Sequence, residues 1–187
     1  MHPDPLAAGS RIAPLEAPFD EASAVAIEEL GPPIALFRLL ARRPDRAHGI
    51  HGWGSYYLSR RSALSLRHRE LAIDRTTALC GAEYELAIHL DVFAERANLT
   101  PSQQHSLATG NHTDPCWTDP ADRAVIRAVD ALHHHSDLDD EQWQDLRAHL
   151  DEEAVLDLLL VAGWYHAISY VTNAVRLPTE PGAGRNT

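Results

Sequence analysis

The sequence predicts an all-α fold of seven to eight helices in a single domain. Apolar residues recur at helical spacing over long segments, most clearly between 152 and 176. Helix-start signals are frequent, and the clearest is the capping-box pattern Thr100-Pro101-Ser102-Gln103. Patterns typical of strands are nearly absent, and no internal repeat is obvious.

The first third of the chain predicts a loose arm followed by three helices. Residues 1–19 contain four prolines and little periodicity, so we expect a flexible arm that can lie over a neighbouring subunit. The next helices are expected at about 20–30, 33–42 and 45–59. Gly31-Pro32-Pro33 ends the first, and Pro44 separates the other two because proline disfavours helix at the residue before it.

The middle of the chain predicts two consecutive helices that meet near Gly81. The first starts at Ser65 or Leu66, and the second runs over about 82–97. Gly81 suits the junction because glycine adopts positive φ without steric cost and can end a helix there. We expect the two helices to pack antiparallel, with the start of the first beside the second.

The last third predicts four more helices. One begins at Thr100, and a second opens at Asp119-Pro120 and ends in His133-His134-His135, which we expect to fray into solvent. Asp139 caps a helix over 140–149, and Asp151 caps the longest one, over about 152–176.

The longest helix is expected to be the central buried one. Its apolar residues recur at helical spacing at Leu156, Leu159, Leu160, Gly163, Ala167, Tyr170 and Ala174. Together with the helices before it, this segment completes a domain over residues 20–177. Residues 178–187 are expected to be a disordered tail.

Composition excludes several classes of function. The net charge is 16 − 27 = −11, so nucleic acids and anionic membranes are unfavourable partners. No uninterrupted apolar run reaches the roughly 18 residues that a membrane span needs, and the N-terminus lacks the apolar core of a signal peptide. With only Cys80 and Cys116, a disulfide framework is not indicated. We therefore expect a cytoplasmic protein.

Glu70, Glu85 and His89 are the best candidates for acid/base chemistry. Glu85 and His89 are four residues apart on one predicted helix, so a carboxylate and an imidazole lie on adjacent turns and can form a hydrogen bond. Glu70 precedes His89 by nineteen residues on the preceding helix, one turn before Asp74. We expect the three to converge on one partly enclosed pocket and the two carboxylates to raise the histidine pKa.

This stretch resembles the carboxymuconolactone decarboxylase family, which includes the alkylhydroperoxidase AhpD-like proteins. The resemblance rests on Arg69-Glu70 before an apolar helix, on Gly81-Ala82-Glu83-Tyr84-Glu85, and on His89. In the peroxidase branch, a glutamate, a Cys-x-x-Cys pair and a histidine work together. Glu70 and His89 occupy the two ends of that pattern, whereas Ala82 and Glu85 stand where the cysteines would be. The resemblance covers about residues 30–177 and is closest to the longer members.

The resemblance implies an AhpD-like helical bundle and site roles for particular residues. It favours His89 as general acid/base, Glu85 as its orienting partner and Glu70 as a relay or second base. Substrate-binding candidates are Tyr84, Arg75 and His166, with His166 on the opposite wall of the pocket.

Three functions remain open at this point. The first is cofactor-free decarboxylation or isomerisation of a small acidic or carbonyl substrate. The second is peroxide handling through Cys80, which the missing second thiol disfavours. The third is non-catalytic binding of a small molecule.

We expect no cofactor and no metal, because the His48/His51 spacing offers only two ligands. The resemblance also implies a homo-oligomer, commonly a trimer or hexamer.

Overall fold

A computed structural model describes residues 9–180, and within that range the chain folds into nine α-helices with no strand. They are α1 (Glu21–Leu30), α2 (Ala35–Leu40), α3 (Pro44–Tyr57), α4 (Leu66–Leu79), α5 (Glu83–Phe93), α6 (Pro101–Thr109), α7 (Pro120–His135), α8 (Asp140–Arg147) and α9 (Glu152–Val175). The predicted all-α class is confirmed. The nine helices exceed the predicted total of seven to eight, although each of them lies at a segment for which a helix is predicted.

Side-chain caps account for several helix starts. The hydroxyl of Ser65 accepts a hydrogen bond from the backbone N–H of His68 at the start of α4. Thr100 and Gln103 form the predicted reciprocal capping box at α6. Asp139 and Asp151 cap α8 and α9 in the same way. Their carboxylates accept hydrogen bonds from backbone N–H groups that have no partner within the helix.

The junction between α4 and α5 lies at the predicted glycine. Gly81 has φ of 61°, in the left-handed region that a residue with a side chain rarely adopts. The backbone N–H of Ala82 donates to the carbonyl of Thr77, which closes the end of α4. α5 is shorter than predicted and ends at Phe93, before a turn in which Asn98 also has positive φ.

The central helix is α4, and the prediction that α9 is the most buried helix is wrong. Nine of the 14 residues of α4, from Arg69 to Thr77, are buried, against 11 of 24 in α9. α4 is enclosed because α5, α6, α7 and α9 all pack against it. A central helix in this position buries polar side chains on every face.

α9 buries the face opposite to the predicted one. Leu156 and Tyr170 are 51% and 65% exposed, and Gly163, Ala167 and Ala174 are exposed with them. The buried stripe instead runs along Ala154, Val155, Leu158, Val161, Ala162, Tyr165, Ile168, Ser169, Thr172 and Val175. Because the helix is apolar on both sides, periodicity alone did not distinguish the two faces.

α9 is also long and apolar enough to cross a membrane by length and composition alone. Here half of its most apolar window is buried inside the bundle, and the helix contacts α4, α5, α7 and α8. These contacts are those of a core helix in a helical domain.

The ends of the described range lie against the bundle. The backbone N–H of Arg11 donates to the carbonyl of Val175, and the side chain of Arg38 donates to the carbonyl of Leu15. At the other end, Glu180 accepts a hydrogen bond from the hydroxyl of Tyr84. Residues 9–19 of the predicted arm therefore contact α2 and α9 of their own chain. The rest of the arm and most of the predicted tail lie outside the described residues.

Two leucines of α9 test this burial pattern. Leu158 is fully buried, so Leu158→Ala should lower the free energy of unfolding by about 2–5 kcal/mol through lost transfer energy and a residual cavity. In the single chain, Leu156→Ala removes the same atoms from an exposed site, so at a protein concentration too low for self-association it should change that free energy by less than about 0.5 kcal/mol. Urea unfolding at one protein concentration measures both. Equal losses would contradict the assigned faces.

Candidate functional site

Glu70, His89 and Tyr165 form a hydrogen-bonded chain in the core. Glu70 Oε2 lies 2.8 Å from His89 Nδ1, and the hydroxyl of Tyr165 lies 2.9 Å from His89 Nε2. All three side chains are buried. When His89 is neutral, its Nδ1–H donates to the carboxylate and its Nε2 accepts the phenolic proton. The three helices α4, α5 and α9 each contribute one member.

Arg69 holds the other half of the Glu70 carboxylate. Its Nε and Nη2 both lie 2.7 Å from Glu70 Oε1, so the two carboxylate oxygens serve different partners. The guanidinium is itself buried and lies over the ring of Phe93, at 5.3 Å from the centroid. Phe93 also stacks on His89. Arg69 and His89 thus each hydrogen-bond to one oxygen of a carboxylate that is fully buried.

The ionisation of the neighbouring groups follows from burial and from this carboxylate. Burial alone would lower the pKa of His89, but the hydrogen bond and charge of Glu70, together with Glu85 and Asp74, outweigh it and raise that pKa. Burial, reinforced by the charge of Glu70, raises the pKa of Asp74 well above its ordinary value, although His89 opposes the shift. Burial likewise raises the pKa of Tyr165, so its hydroxyl keeps its proton.

An apolar cavity of about 440 Å³ reaches this chain. His89, Tyr165 and Glu85 lie in its wall, while Ser55 and His51 of α3 are its other polar side chains. The remaining lining is almost entirely hydrophobic and comes from α2, α3, α5 and α9, with Leu36, Phe37, Ile50, Ile88, Trp164 and Ile168 among its members. The volume is in the range of small-molecule sites, and the few convergent polar groups mark it as the candidate site.

Glu85 faces the cavity but does not hold His89. The Oε1 atom of Glu85 is buried without a hydrogen-bond partner, and the Nδ1 atom of His89 is hydrogen-bonded to Glu70 instead. The expected hydrogen bond between Glu85 and His89 is therefore absent, and Glu70 is the residue that orients the imidazole. Burial raises the pKa of Glu85 to about 6, and the charge of His89 only partly offsets that rise. Such a carboxyl can gain or lose a proton near neutral pH.

The three predicted substrate-binding residues lie away from the cavity. Arg75 is buried on another face of α4, where it pairs with Asp130 of α7 and donates to the carbonyl of Leu107. The hydroxyl of Tyr84 accepts from the backbone N–H of Leu36 and donates to Glu180. His166 does not form the opposite wall, because it contacts His133 of α7. The wall position belongs to its neighbour Tyr165.

The sequence therefore missed Tyr165, Arg69 and Asp74 as members of the site. Arg69 and Asp74 carried a usable signal, since both fall on the predicted buried helix within one turn of Glu70. Tyr165 carried a weaker one, because it lies next to His166 on a helix where one residue changes the direction of a side chain by about 100°.

A larger and more open cleft of about 780 Å³ lies between α1 and α3. Its polar lining consists of acidic residues and His48, which lies 3.5 Å from Glu29. It contains none of the buried hydrogen-bonded side chains described above, so we assign the candidate site to the smaller, apolar cavity.

Comparison with solved structures identifies the fold. An uncharacterized peroxidase-related protein from Silicibacter sp. TM1040 superposes with a TM-score of 0.77 at 16% identity, over 93% of this chain and 95% of that one. A peroxidase-related protein with an alkylhydroperoxidase AhpD core, from Ralstonia eutropha JMP134, gives 0.74 at 16% identity, over 92% and 94%. No protein-family model and no curated protein matches the sequence itself.

A third similar structure is an enzyme with a ligand. It is a cysteine-to-alanine variant of the debrominase Bmp8 in complex with 2,3,4-tribromopyrrole, with a TM-score of 0.71 at 18% identity over 95% of each chain. Together these neighbours show that the chain has the AhpD-like all-α fold, which confirms at the level of the fold the resemblance found in the sequence. The roles of its site residues remain predictions.

The raised pKa of Glu85 gives a test based on stability. Folding raises the pKa of this carboxyl from 4.5 to about 6. At about 1.4 kcal/mol per pKa unit, the shift leaves the free energy of unfolding unchanged below about pH 4.5 and lowers it by about 2 kcal/mol well above pH 6. Glu85→Gln, which cannot ionise, should therefore be about 2 kcal/mol more stable than wild type at pH 8. The difference should vanish near pH 4.

The control for this test is Glu83→Gln, an exposed glutamate two residues earlier on α5. It should change the free energy of unfolding by less than about 0.5 kcal/mol at pH 8. A wild type and a Glu85→Gln variant with parallel stability curves between pH 4 and pH 8 would contradict the raised pKa of Glu85.

Proposed function

We propose that the protein is a cytoplasmic, cofactor-free acid/base enzyme that moves a proton on a small carbonyl compound. One observation carries the proposal: Glu85 and the Glu70–His89–Tyr165 chain meet in the wall of one apolar cavity. The site thus offers a carboxyl able to exchange a proton near neutral pH and, beside it, a hydroxyl donor backed by an imidazole.

The reaction that suits this pair begins at a C–H bond next to the carbonyl group. Glu85 takes the proton, the C–H electrons form the enolate, and the Tyr165 hydroxyl donates a hydrogen bond to the developing oxyanion. For this role His89 is protonated: its Nε2–H donates to the Tyr165 oxygen, which leaves the phenolic proton free for the oxyanion, and the Glu70 carboxylate stabilises the positive charge on the imidazole. Return of the proton from Glu85 to another carbon completes an isomerisation and regenerates the site. Tyr165 suits the donor role because its raised pKa keeps it protonated.

The cavity favours a neutral substrate over an acidic one. Among the described residues that line it, none is a lysine or arginine, and the guanidinium of Arg69, which belongs to the same hydrogen-bonded network, is paired with Glu70. A substrate carboxylate would enter an apolar cavity beside the Glu85 carboxyl, with no lysine or arginine among the described lining residues to pair with it, which is unfavourable. Isomerisation is therefore the better-supported reaction, and decarboxylation of a carboxylate substrate is the alternative.

Peroxide handling through Cys80 has less support. Cys80 does not line the cavity, and burial raises the pKa of its thiol, which disfavours the reactive thiolate.

The bromopyrrole bound to the Bmp8 variant is a small, mostly apolar ring, and a ligand of that size and polarity would also suit the cavity here. Halogenated rings therefore belong in the substrate panel with cyclic ketones, enol lactones, keto acids and hydroperoxides.

Deuterium exchange tests the proposal directly. With a carbonyl compound in D₂O, the wild type should catalyse deuterium incorporation at the carbon beside the carbonyl, as followed by NMR. Glu85→Gln and Tyr165→Phe should each lower the rate by about 10²-fold or more, the usual contribution of a general acid/base group. The wild-type rate should rise with pH through about 6 as Glu85 ionises.

The controls use residues of the same type outside the cavity. Glu83→Gln and Tyr170→Phe change exposed residues of α5 and α9 and should leave the exchange rate unchanged. A rate that survives Glu85→Gln would refute the proposed base. Turnover of a hydroperoxide that disappears in Cys80→Ser but survives in Cys116→Ser would establish the redox alternative instead.

We also propose that the protein is a homo-oligomer that buries the outer face of α9. Leu156 and Tyr170 are exposed there, and the small residues Gly163, Ala167 and Ala174 between them allow another helix to approach closely. A continuous apolar helix face of this kind is unusual on a monomer surface.

Sedimentation at micromolar concentration should give a molecular mass that is a multiple of 20.7 kDa, and Ala167→Glu should shift that mass toward the monomer. A monomeric wild type would contradict the idea.

A further inference from the structure

A second cluster of chemically active side chains lies outside the cavity, where the ends of two helices meet α9. It consists of Cys80 at the end of α4, His133 in the last turn of α7 and His166 in the middle of α9. Cys80 Sγ lies 3.9 Å from His133 Nδ1, which lies 3.0 Å from His166 Nε2. One ligand atom from each residue falls within 4.8 Å of the other two.

We propose that Cys80, His133 and His166 form a binding site for a soft divalent transition-metal ion, with Zn²⁺ as the expected occupant. The ligand types agree with this ion, since one thiolate and two imidazoles are typical zinc donors. A tetrahedral zinc ion would separate a sulfur and a nitrogen ligand by about 3.6 Å and two nitrogens by about 3.3 Å. The Cys80–His133 and His133–His166 separations differ from these values by only a few tenths of an ångström, and the ligand atoms of Cys80 and His166 lie within 4.8 Å of each other.

The surroundings of His166 prepare it as a ligand. Its Nδ1 lies 2.8 Å from the carbonyl oxygen of Ala162, one turn earlier on α9. The neutral ring therefore carries its proton on Nδ1, and the lone pair of Nε2 points toward His133 and Cys80. Metal-bound histidines are commonly oriented in this way, by donating the second ring N–H to a carbonyl oxygen.

The side chain of Ser169 independently supports a metal ion at this cluster. Its hydroxyl is fully buried and has no hydrogen-bond partner. It lies beside the Cys80 thiol. Once a metal ion has displaced the thiol proton, this hydroxyl can donate to the thiolate sulfur and satisfy its own buried donor.

The backbone also favours a cation at this point. Cys80 caps the C-terminal end of α4, and His133 lies in the last turn of α7. The C-terminal end of a helix carries partial negative charge, so both helices stabilise a positive ion between them. Three protein ligands leave the fourth position of a tetrahedral zinc ion for water. The ion would bind α4 and α7 to α9, one residue from Tyr165.

Zinc binding and cobalt spectroscopy on the tag-free, full-length protein test the site. Titration calorimetry with Zn²⁺ should give one ion per chain, and Co²⁺ should give a near-ultraviolet thiolate-to-metal charge-transfer band. Cys80→Ser should abolish that band, and Cys80→Ser and His166→Gln should each weaken Zn²⁺ binding by about 10²-fold or more. Loss of a direct ligand should exceed the roughly 10- to 100-fold loss typical of an outer partner, which is the range expected for Ser169→Ala.

Matched controls separate this site from surface histidines and from the other thiol. Cys116→Ser keeps Cys80 as the single thiol, and His134→Gln changes the exposed neighbour of His133, so both should bind Zn²⁺ as the wild type does. Absence of the charge-transfer band in the wild type would overturn the proposal without any variant. So would Zn²⁺ binding that Cys80→Ser and His166→Gln leave unchanged.

Discussion

The carboxylate of Glu70 is the group on which the rest of the structure depends. It lies on the central helix, fully buried, with one oxygen held by Arg69 and the other by His89. A carboxylate buried there without partners would strongly destabilise the fold. The side chain of Glu70 can be buried on α4 because Arg69 and His89 both pair with it. Burial alone would lower the pKa of His89, and the hydrogen bond and charge of Glu70 do most to reverse that effect, whereas the pKa of Asp74 is raised mainly by burial, to which the charge of Glu70 adds.

The chemistry that this cluster supports is decided by the side chain at position 85. In the resemblance found in the sequence, a cysteine would stand there and would act as part of a dithiol. A carboxyl in the same place cannot undergo thiol oxidation, but the surrounding apolar wall raises its pKa into the range where it can exchange protons. Under the proposed function, the fold keeps its Glu–His arrangement while the reaction changes from redox chemistry to proton transfer.

Local signals in the sequence predicted most of the helices and part of the site. The caps at Thr100, Asp139 and Asp151 and the positive φ of Gly81 depend on neighbouring residues, and the structure has all of them. The partners of Arg75 and Tyr84 lie 55 and 96 residues away, and no local pattern identifies them. The rotation of α9 also depends on tertiary packing, because both of its faces are apolar enough to be buried.

Two adjacent residues of α9 show how one helix pair separates two chemistries. Tyr165 contacts His89 in the cavity, while His166, rotated by about 100°, contacts His133 and lies near Cys80. α4 connects the same two regions, with Glu70 in its second turn and Cys80 at its end. The thiol is therefore held against histidines, outside the apolar cavity. Under the proposed function, that separation leaves Glu85 as the proton-transfer group in the cavity and gives Cys80 a different set of partners.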